Sequence, residues 1–343
     1  MSGNKVRVLA LVHRHLIPPD TVPEGTELAS APWRTEYDVV TTLRGMGHEV
    51  QVLGVHDDLG DIRRAATEWK PQIAFNLLEA FDDIVIFDQN VVSHLELLKL
   101  PYTGCNPRGL LLARDKALSK KLLAYHRIPV PEFEVFRIGR PIRRPKRLLF
   151  PLIVKSLTQE ASIGISQASV VETDEKLKER VTFIHESIGT TAIAEQYIEG
   201  RELYVGILGN QALQALPVWE LFFTNMPADA KRIATDRVKW SVKYQKKYGI
   251  DSGAARDLPD GLADKIQHVC KRAYRALDLS GYARIDLRLT EEGRIVVLEA
   301  NPNPQLASGE DLAEAAGAAG IEYGPLLERI VALGLAWEPG YLG

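Results

Sequence analysis

Short apolar runs alternate with helical spacing over the first hundred residues. "VRVLALV" (6–12), "HEVQVLGV" (48–55) and "QIAFNLL" (72–78) read as buried strands, because such runs suit a sheet covered on both faces. In "TEYDVVTTLRGMG" the residues Val39, Val40 and Leu43 fall at helical spacing, and Gly45 and Gly47 close the segment. Residues 61–69 and 87–98 read as two more helices, "PYTG" (101–104) as a short strand, and the Pro- and acid-rich stretch 18–32 as a long loop. Alternating strands and helices predict a parallel sheet. From Asn106 the pattern changes. One helix is expected over 108–126, strands over 133–137, 152–155, 163–171 and 192–197, and a helix over 175–187. From Gly200 follow strands over 203–208 and 214–219, a helix over 262–277, a hairpin over 283–301 and two Ala- and Leu-rich closing helices. The predicted fold class is α/β: an N-terminal parallel-sheet unit (1–106), a central unit (107–198) and a C-terminal unit (199–343).

Composition narrows the partners. The chain of 343 residues carries a net charge of −3 with acids and bases interspersed. No long block of like charge offers a nucleic-acid groove or a membrane anchor, and "RRPKR" (143–147) reads as a solvated loop. No apolar run approaches the roughly 20 residues of a membrane span. Cys105 and Cys270 lie far apart, without metal-ligand spacing, and read as free thiols of a reducing cytosol. The expected localisation is cytoplasmic.

The hairpin "YARIDLRLTEEGRIVVLEANPNP" carries the first chemical signal. Strand alternation puts Arg284, Asp286 and Arg288 on one face, with Ile285, Leu287 and Leu289 on the other. On the return strand Glu299 and Asn301 share a face, and Val296, Leu298 and Ala300 lie opposite. Folding about Glu291–Glu292 brings Asp286 roughly opposite Glu299, and Arg284 roughly opposite Asn301. Two carboxylates about 4 Å apart repel by roughly 4 kcal/mol at an effective dielectric near 20. A hard cation removes that cost, and oxygen-only ligands suit Mg²⁺. A surface sheet face with an Arg284–Glu299 salt bridge explains the same pattern.

Two further segments add to it. In "PLIVKSLTQEASIGISQASVV" a strand ends on Lys155 and enters a small polar loop at Ala161, Ser162 and Gly164, whose N–H groups can cradle phosphate beside the lysine charge; a plain turn is the alternative. In "AIAEQYIEGRELYVGIL" a strand reaches Glu195 and a short hinge leads to Glu202. Such a hinge can hold a nucleotide base and its ribose hydroxyls, or Glu199 and Glu202 are ordinary surface acids.

Taken in order, "RDK", "VK", the Gly/Ser loop, "EQYIEGRE", "ARIDLR" and "LEANPNP" resemble the ATP-grasp superfamily, and within it the D-alanine–D-alanine ligases. The resemblance covers nearly the whole chain, most strongly 110–301, and extends to the closing "AGIEYGPLLERIVALGLA". It implies an ATP-dependent carboxylate–amine ligase working through an acyl phosphate, with ATP and two Mg²⁺ (or Mn²⁺) bound, small-molecule acid and amine substrates, and a homodimer. By the resemblance, Lys116 and Lys155 meet the nucleotide phosphates, and Ala161 and Ser162 close over the γ-phosphate. Glu195, Gln196, Tyr197 and Ile198 form the adenine hinge, and Glu202 takes the ribose. Lys243 and Tyr244 belong to a mobile lid. Arg284 steadies the transferring phosphoryl group, and Asp286, Glu299 and Asn301 hold the metal. A small-molecule kinase on the same fold and a nucleotide-binding module without turnover are the other classes considered.

The chain also departs from that family. "VLALVHRHLIPPD" replaces its Gly-rich turn, which leaves Glu36 as the nearest candidate for the glutamate that holds the first substrate's ammonium group. His13 and His15 end the first strand, where they either touch substrate or serve structure. "NLLEAFDD" stands in for a His-Gly and Gly-Glu-Asp-Gly stretch, so Glu79, Asp82 and Asp83 face the cleft or cap the next helix. Trp240 replaces a lid tyrosine. In place of the Ser-Leu pair that grips the acceptor carboxylate, the chain has Ser308, Gly309, Glu310 and Asp311. The acidic pair suggests an acceptor other than D-alanine, with a cationic end facing Glu310.

Overall fold

A computed structural model of the chain describes residues 5–159, 163–227 and 230–339. The first sheet holds β1 (Arg7–His13), β2 (Glu49–Val55) and β3 (Ile73–Asn76), all parallel in the order β2-β1-β3. On one face Val6 and Val8 pack with Val39 and Leu43 of α1 (Arg34–Gly45). On the other, Leu9 and Leu11 pack with Ile62 of α2 (Gly60–Glu68) and with Val91, Val92 and Leu95 of α3 (Asp88–Leu97). Covering both faces is what makes the unbroken apolar run of β1 favourable. "PYTG" adds only a single bridge, Tyr102 to Ala74.

The helix expected over 108–126 is two: α4 (Pro107–Arg114) and α5 (Lys116–Tyr125). Asp115 adopts an extended conformation, and its carboxylate accepts from the N–H groups of Ala117 and Leu118, both at 2.9 Å. This N-cap satisfies two of the donors that a helix start leaves free, and it sets Lys116 at the first position of α5. The second sheet comprises β4 (Phe133–Phe136), β5 (Leu152–Ser156), β6 (Val170–Val171) and β7 (Ala192–Gln196), antiparallel in the order β4-β7-β5-β6. α6 (Asp174–Phe183) covers it through Leu177 and Val181. The strand expected over 163–171 shrinks to β6. Ser166 and Ser169 close a capping box there and turn Gln167–Ser169 into a 3₁₀ segment.

The third sheet runs β11-β10-β8-β12-β13, with β9 on the side of β8. Its strands are β8 (Arg201–Leu208), β9 (Gln214–Ala215), β10 (Trp219–Phe223), β11 (Ile250–Ala254), β12 (Tyr282–Leu289) and β13 (Ile295–Pro302). The expected strand over 214–219 is thus split between β9 and the start of β10. Two short helices, α7 (Asp236–Trp240) and α8 (Val242–Tyr248), precede β11. Ile266, Cys270 and Tyr274 of α9 (Leu262–Ala276) bury the face that carries Leu203, Val205, Ile285 and Leu287. The opposite face meets α10 (Asp311–Ala318) and α11 (Tyr323–Leu335). Leu326, Leu327 and Ile330 of α11 share their core with Val8 and Phe75, so the end of the chain packs back onto the first sheet.

Candidate functional site

The β12–β13 hairpin has the expected register: Arg284 pairs with Asn301 and Asp286 with Glu299. The pairing then slips by one residue, Leu287 facing Val297, so Leu298 is the extra residue of a β-bulge. The slip corrects the expected core face. Val297 and Ile295, not Val296 and Leu298, join Ala300, Ile285, Leu287 and Leu289. It also aims the Leu298 carbonyl at Lys120 Nζ, 2.6 Å away.

Four charged side chains from three elements gather against this hairpin. Lys120 of α5 is wholly enclosed, and its Nζ lies 2.9 Å from Glu195 Oε1. Lys155, at the end of β5, stands 3.2 Å from Glu195 Oε2 and 3.9 Å from Glu299. Lys116 stands 3.8 Å from Glu299 and donates to the Gln159 carbonyl at 2.8 Å. Burial alone would raise the Glu299 carboxyl, but Lys116, Lys155, Lys239 and Lys120 outweigh it and hold the group well below the usual carboxylate range. Glu195 follows the same pattern: burial opposes the charge, and Lys120 and Lys155 restore it. Lys155 stays above its ordinary value although burial lowers it, because Glu195 and Glu299 flank it. The site is a concentration of lysine charge on two carboxylates, the buried Glu195 and the half-buried Glu299.

On the same face Arg284 grips Asp286 with two hydrogen bonds, Nε to Oδ1 at 2.7 Å and Nη2 to Oδ2 at 2.9 Å, and its guanidinium lies 4.7 Å from the centre of the Tyr204 ring. This replaces the Arg284–Glu299 salt bridge of the alternative reading. The hairpin face is also not exposed: Asp286 is buried, and burial raises its carboxyl in spite of Arg284.

The hinge segment is held from below. Gly200 has φ +144°, and a Cβ there would meet the Leu289 carbonyl oxygen at 2.2 Å, so only glycine fits. Arg288 donates to the Gly200 carbonyl at 2.8 Å and to Glu202 at 2.5 Å, while the Tyr204 hydroxyl donates to Glu202 at 3.0 Å. Gln196, Tyr197 and Ile198 lie at the end of β7 and just beyond it, where the Tyr197 N–H donates to the Pro151 carbonyl. Glu195 does not face the hinge as a free acceptor; its carboxylate belongs to the two lysines.

Other expected residues fall in different places. Lys243 is exposed on α8, and Lys239 is instead the lysine of that segment whose charge reaches Glu299 and Asp286. Tyr244 is half-buried, its ring 4.6 Å from that of Tyr248. The Trp240 side chain, Ala161 and Ser162 lie outside the described residues. Glu36, in the first turn of α1, is buried with an oxygen that has no hydrogen-bond partner among the described residues. Burial, with a contribution from the exposed Glu79, pushes its carboxyl up to about 7. Glu310 is not a free acid: Arg34 Nη1 lies 3.2 Å from it, and Arg34 also donates to the Ser308 carbonyl. Asp311 accepts from Ser252 Oγ at 2.7 Å and stands 3.8 Å from Arg284. The cationic-acceptor expectation rested on an unpaired acidic pair, and the pairing removes its basis.

Lys120, Lys239, Arg288 and Arg34 were not assigned from sequence. Lys120 sits one helical turn after Lys116, and Arg288 shares the strand face of Arg284 and Asp286; both spacings were visible. Arg34 and Glu310 are 276 positions apart, and no local pattern connects them.

Residues 122–332 match the family model described as D-ala D-ala ligase C-terminus. An uncharacterized protein, y4sG, of Sinorhizobium fredii is 30% identical over 92% of this chain and 89% of its own length. The D-alanine–D-alanine ligase of Desulfotalea psychrophila is 30% identical over 88% of this chain and 90% of its own. Among solved structures, the D-alanine–D-alanine ligase of Bacillus anthracis complexed with ATP superposes with a TM-score of 0.73 at 22% identity, covering 96% of this chain and 97% of that one. The last likeness is one of fold.

Proposed function

Because the chain belongs to the D-alanine–D-alanine ligase family, we propose that it is an ATP-dependent ligase that joins a carboxylic acid to an amine through an acyl phosphate. The observation that carries this reading is the hairpin register. It sets Asp286 against Glu299 and Arg284 against Asn301, with Lys116 and Lys155 within 4 Å of Glu299. Phosphoryl transfer needs positioning and charge neutralisation more than a covalent protein group. Lys116 and Lys155 hold the phosphates, residues 196–198 seat the base, and Glu202, steadied by Arg288, takes the ribose.

Asp286, Glu299 and Asn301 form an all-oxygen donor set that fits Mg²⁺, with Mn²⁺ able to replace it. Bound there, the ions would offset phosphate charge and hold the reacting oxygens in line. Arg284 has to leave Asp286 for this, and turns its guanidinium to the transferring phosphoryl group. Lys239 supplies from the α7–α8 lid the charge that sequence reading gave to Lys243.

Glu36, buried with one oxygen unpaired, receives the donor's ammonium group. The donor carboxylate oxygen attacks the γ-phosphorus and ADP leaves. The acceptor amine then attacks the acyl carbon and expels inorganic phosphate. Enclosure by the lid keeps water from the acyl phosphate. On the acceptor side, Arg34 can exchange Glu310 for a carboxylate, so an acceptor of amino-acid type fits. Residues 1–106 form the donor-side unit, and 107–198 and 199–343 the two halves around the nucleotide. We place the protein in the cytosol, where its two buried free cysteines stay reduced, as a homodimer; among the described residues no helix is long and apolar enough to cross a membrane.

The test is ADP release with Mg²⁺-ATP across a matrix of amino acids and amines, followed by mass spectrometry. ADP that requires both partners, with a product of donor plus acceptor minus water, is expected. ADP with an acid alone and a lasting phosphorylated product would make the protein a kinase. Tight ATP binding with no ADP in any well would make it a module without turnover.

A further inference from the structure

The three segments that leave the C-terminal edge of the first sheet meet in a group of side chains that phosphoryl transfer does not use. His13 ends β1, His56 follows β2, and Asp83 lies in the loop after β3. One Asp83 oxygen is 3.3 Å from His13 Nε2 and the other is 3.2 Å from His56 Nε2. The three ligand atoms all lie within 4.8 Å of one another. The loop is strapped in place: the Asp82 N–H donates to the His56 carbonyl at 2.8 Å. His13 Nε2 and His56 Nδ1 are buried and have no hydrogen-bond partner among the described residues, although the carboxylate of Asp83 is adjacent to the first and that of Asp57 is 3.5 Å from the second. The contact between His13 and Asp83 therefore has the distance of a hydrogen bond without its alignment.

Those distances suit a shared ion. Zinc takes imidazole nitrogen at about 2.0–2.1 Å and carboxylate oxygen at about 2.0–2.2 Å. Two such ligands at a tetrahedral angle stand roughly 3.3–3.4 Å apart; the contacts to the two Asp83 oxygens, at 3.3 Å and 3.2 Å, are of that size, which is also that of an ordinary ion pair, and a small turn of the carboxylate would bring one oxygen to an ion held by both rings. Two imidazoles with one carboxylate also form a borderline donor set, which prefers a first-row transition ion to Mg²⁺ or Ca²⁺.

We propose that His13, His56 and Asp83 form a binding site for a divalent transition-metal ion of the zinc type, with the remaining coordination open to solvent beside the exposed Asp83. With the ion on Nε2, each neutral ring carries its one proton at Nδ1: the Nε2 proton is exchanged through solvent for one at Nδ1, with no net release. For His56 that proton faces Asp57, the outer carboxylate that commonly orients a ligating imidazole. For His13 the change gives up only a long hydrogen bond of 3.4 Å from the His15 N–H. The ion ties the loop after β3 to the ends of β1 and β2, and that loop also carries Glu79, the neighbour of Glu36.

The experiment is a Zn²⁺ titration of the metal-stripped full chain by calorimetry, in excess Mg²⁺ so that the hairpin carboxylates are taken. It is repeated with Co²⁺ as a spectroscopic probe. One equivalent of Zn²⁺ with a micromolar or tighter Kd is expected. His56→Ala should lose it, Asp83→Asn should weaken it at least tenfold, and thermal melting of both variants should stay near that of the parent without zinc. Co²⁺ should show the strong visible bands of a site with fewer than six ligands. No Zn²⁺ binding at micromolar concentration, or full stoichiometry kept in both His13→Ala and His56→Ala, would overturn the proposal. Should a variant fail to fold, the parent's Co²⁺ spectrum decides: only weak six-coordinate bands would rule the site out.

Discussion

Replacing Lys120 by Met removes one charge from the interior and leaves its length. Lys120 Nζ is the partner of Glu195 at 2.9 Å and of the Leu298 carbonyl at 2.6 Å, with no exposure to water. Removing one partner of a buried pair costs about 3–5 kcal/mol, because the other charge stays buried. Here Lys155 remains 3.2 Å from Glu195, so the lower end, about 3 kcal/mol, is expected. With an unfolding entropy of about 2.1 cal/mol/K per residue, a chain of 343 residues shifts by about 1.4 °C per kcal/mol, so the melting temperature should fall by roughly 4 °C. Glu195 then draws Lys155 away from Glu299, and the KM for ATP should rise about tenfold. Thermal melting and ATP kinetics of Lys120→Met, Glu195→Gln and the double variant form the assay. The double variant should be more stable than the two single losses added together, since it buries no orphaned charge. A Lys120→Met protein within 1 °C of the parent, or strict additivity, would refute the reasoning.

Three further outcomes follow from the same structure. The Glu36 carboxyl is raised from 4.5 to about 7, so the folded state holds its proton where the unfolded state has lost it. Stability should therefore fall between pH 4.5 and 7, by about 3 kcal/mol in all, and Glu36→Gln should abolish that slope in pH-dependent melting. In the same window kcat/KM for the donor should rise as the carboxylate forms, while the Gln variant stays low and flat. Gly200→Ala, forced to φ +144° against the Leu289 carbonyl, should cost about 3 kcal/mol by chemical denaturation. Arg288→Met leaves Glu202 buried with the Tyr204 hydroxyl as its one side-chain partner among the described residues, and should destabilise the chain by about 3 kcal/mol and weaken nucleotide binding as measured by calorimetry.

Much of the site could be read along the chain because alternation fixes faces. Period two puts Arg284 and Asp286 on one strand face and Glu299 and Asn301 on one face of the return strand, but a strict ladder from the Leu289–Ile295 pair would set Asp286 against Leu298; the bulge at Leu298 supplies the one residue that brings Asp286 to Glu299 and Arg284 to Asn301. The same period conceals the Leu298 bulge, since one inserted residue leaves the apolar content unchanged while moving every later side chain to the other face. Helical spacing likewise runs unbroken through Asp115. Its carboxylate cap, which splits α4 from α5, is a local hydrogen-bond choice that apolar periodicity does not record. Contacts between distant segments were out of reach. Glu310 reads as a free acid along the chain, but Arg34 stands beside it in the fold, and the charge of Lys239 reaches Glu299 from a helix some sixty positions earlier.

The central claim is that an acyl phosphate links ATP cleavage to amide formation. It is tested most directly with a donor acid labelled with ¹⁸O in its carboxylate, turned over in the presence of the acceptor, followed by mass spectrometry of the inorganic phosphate. One ¹⁸O per phosphate released is expected, carried over when the amine expels it from the acyl carbon. Phosphate without label, formed alongside ADP and amide, would contradict it.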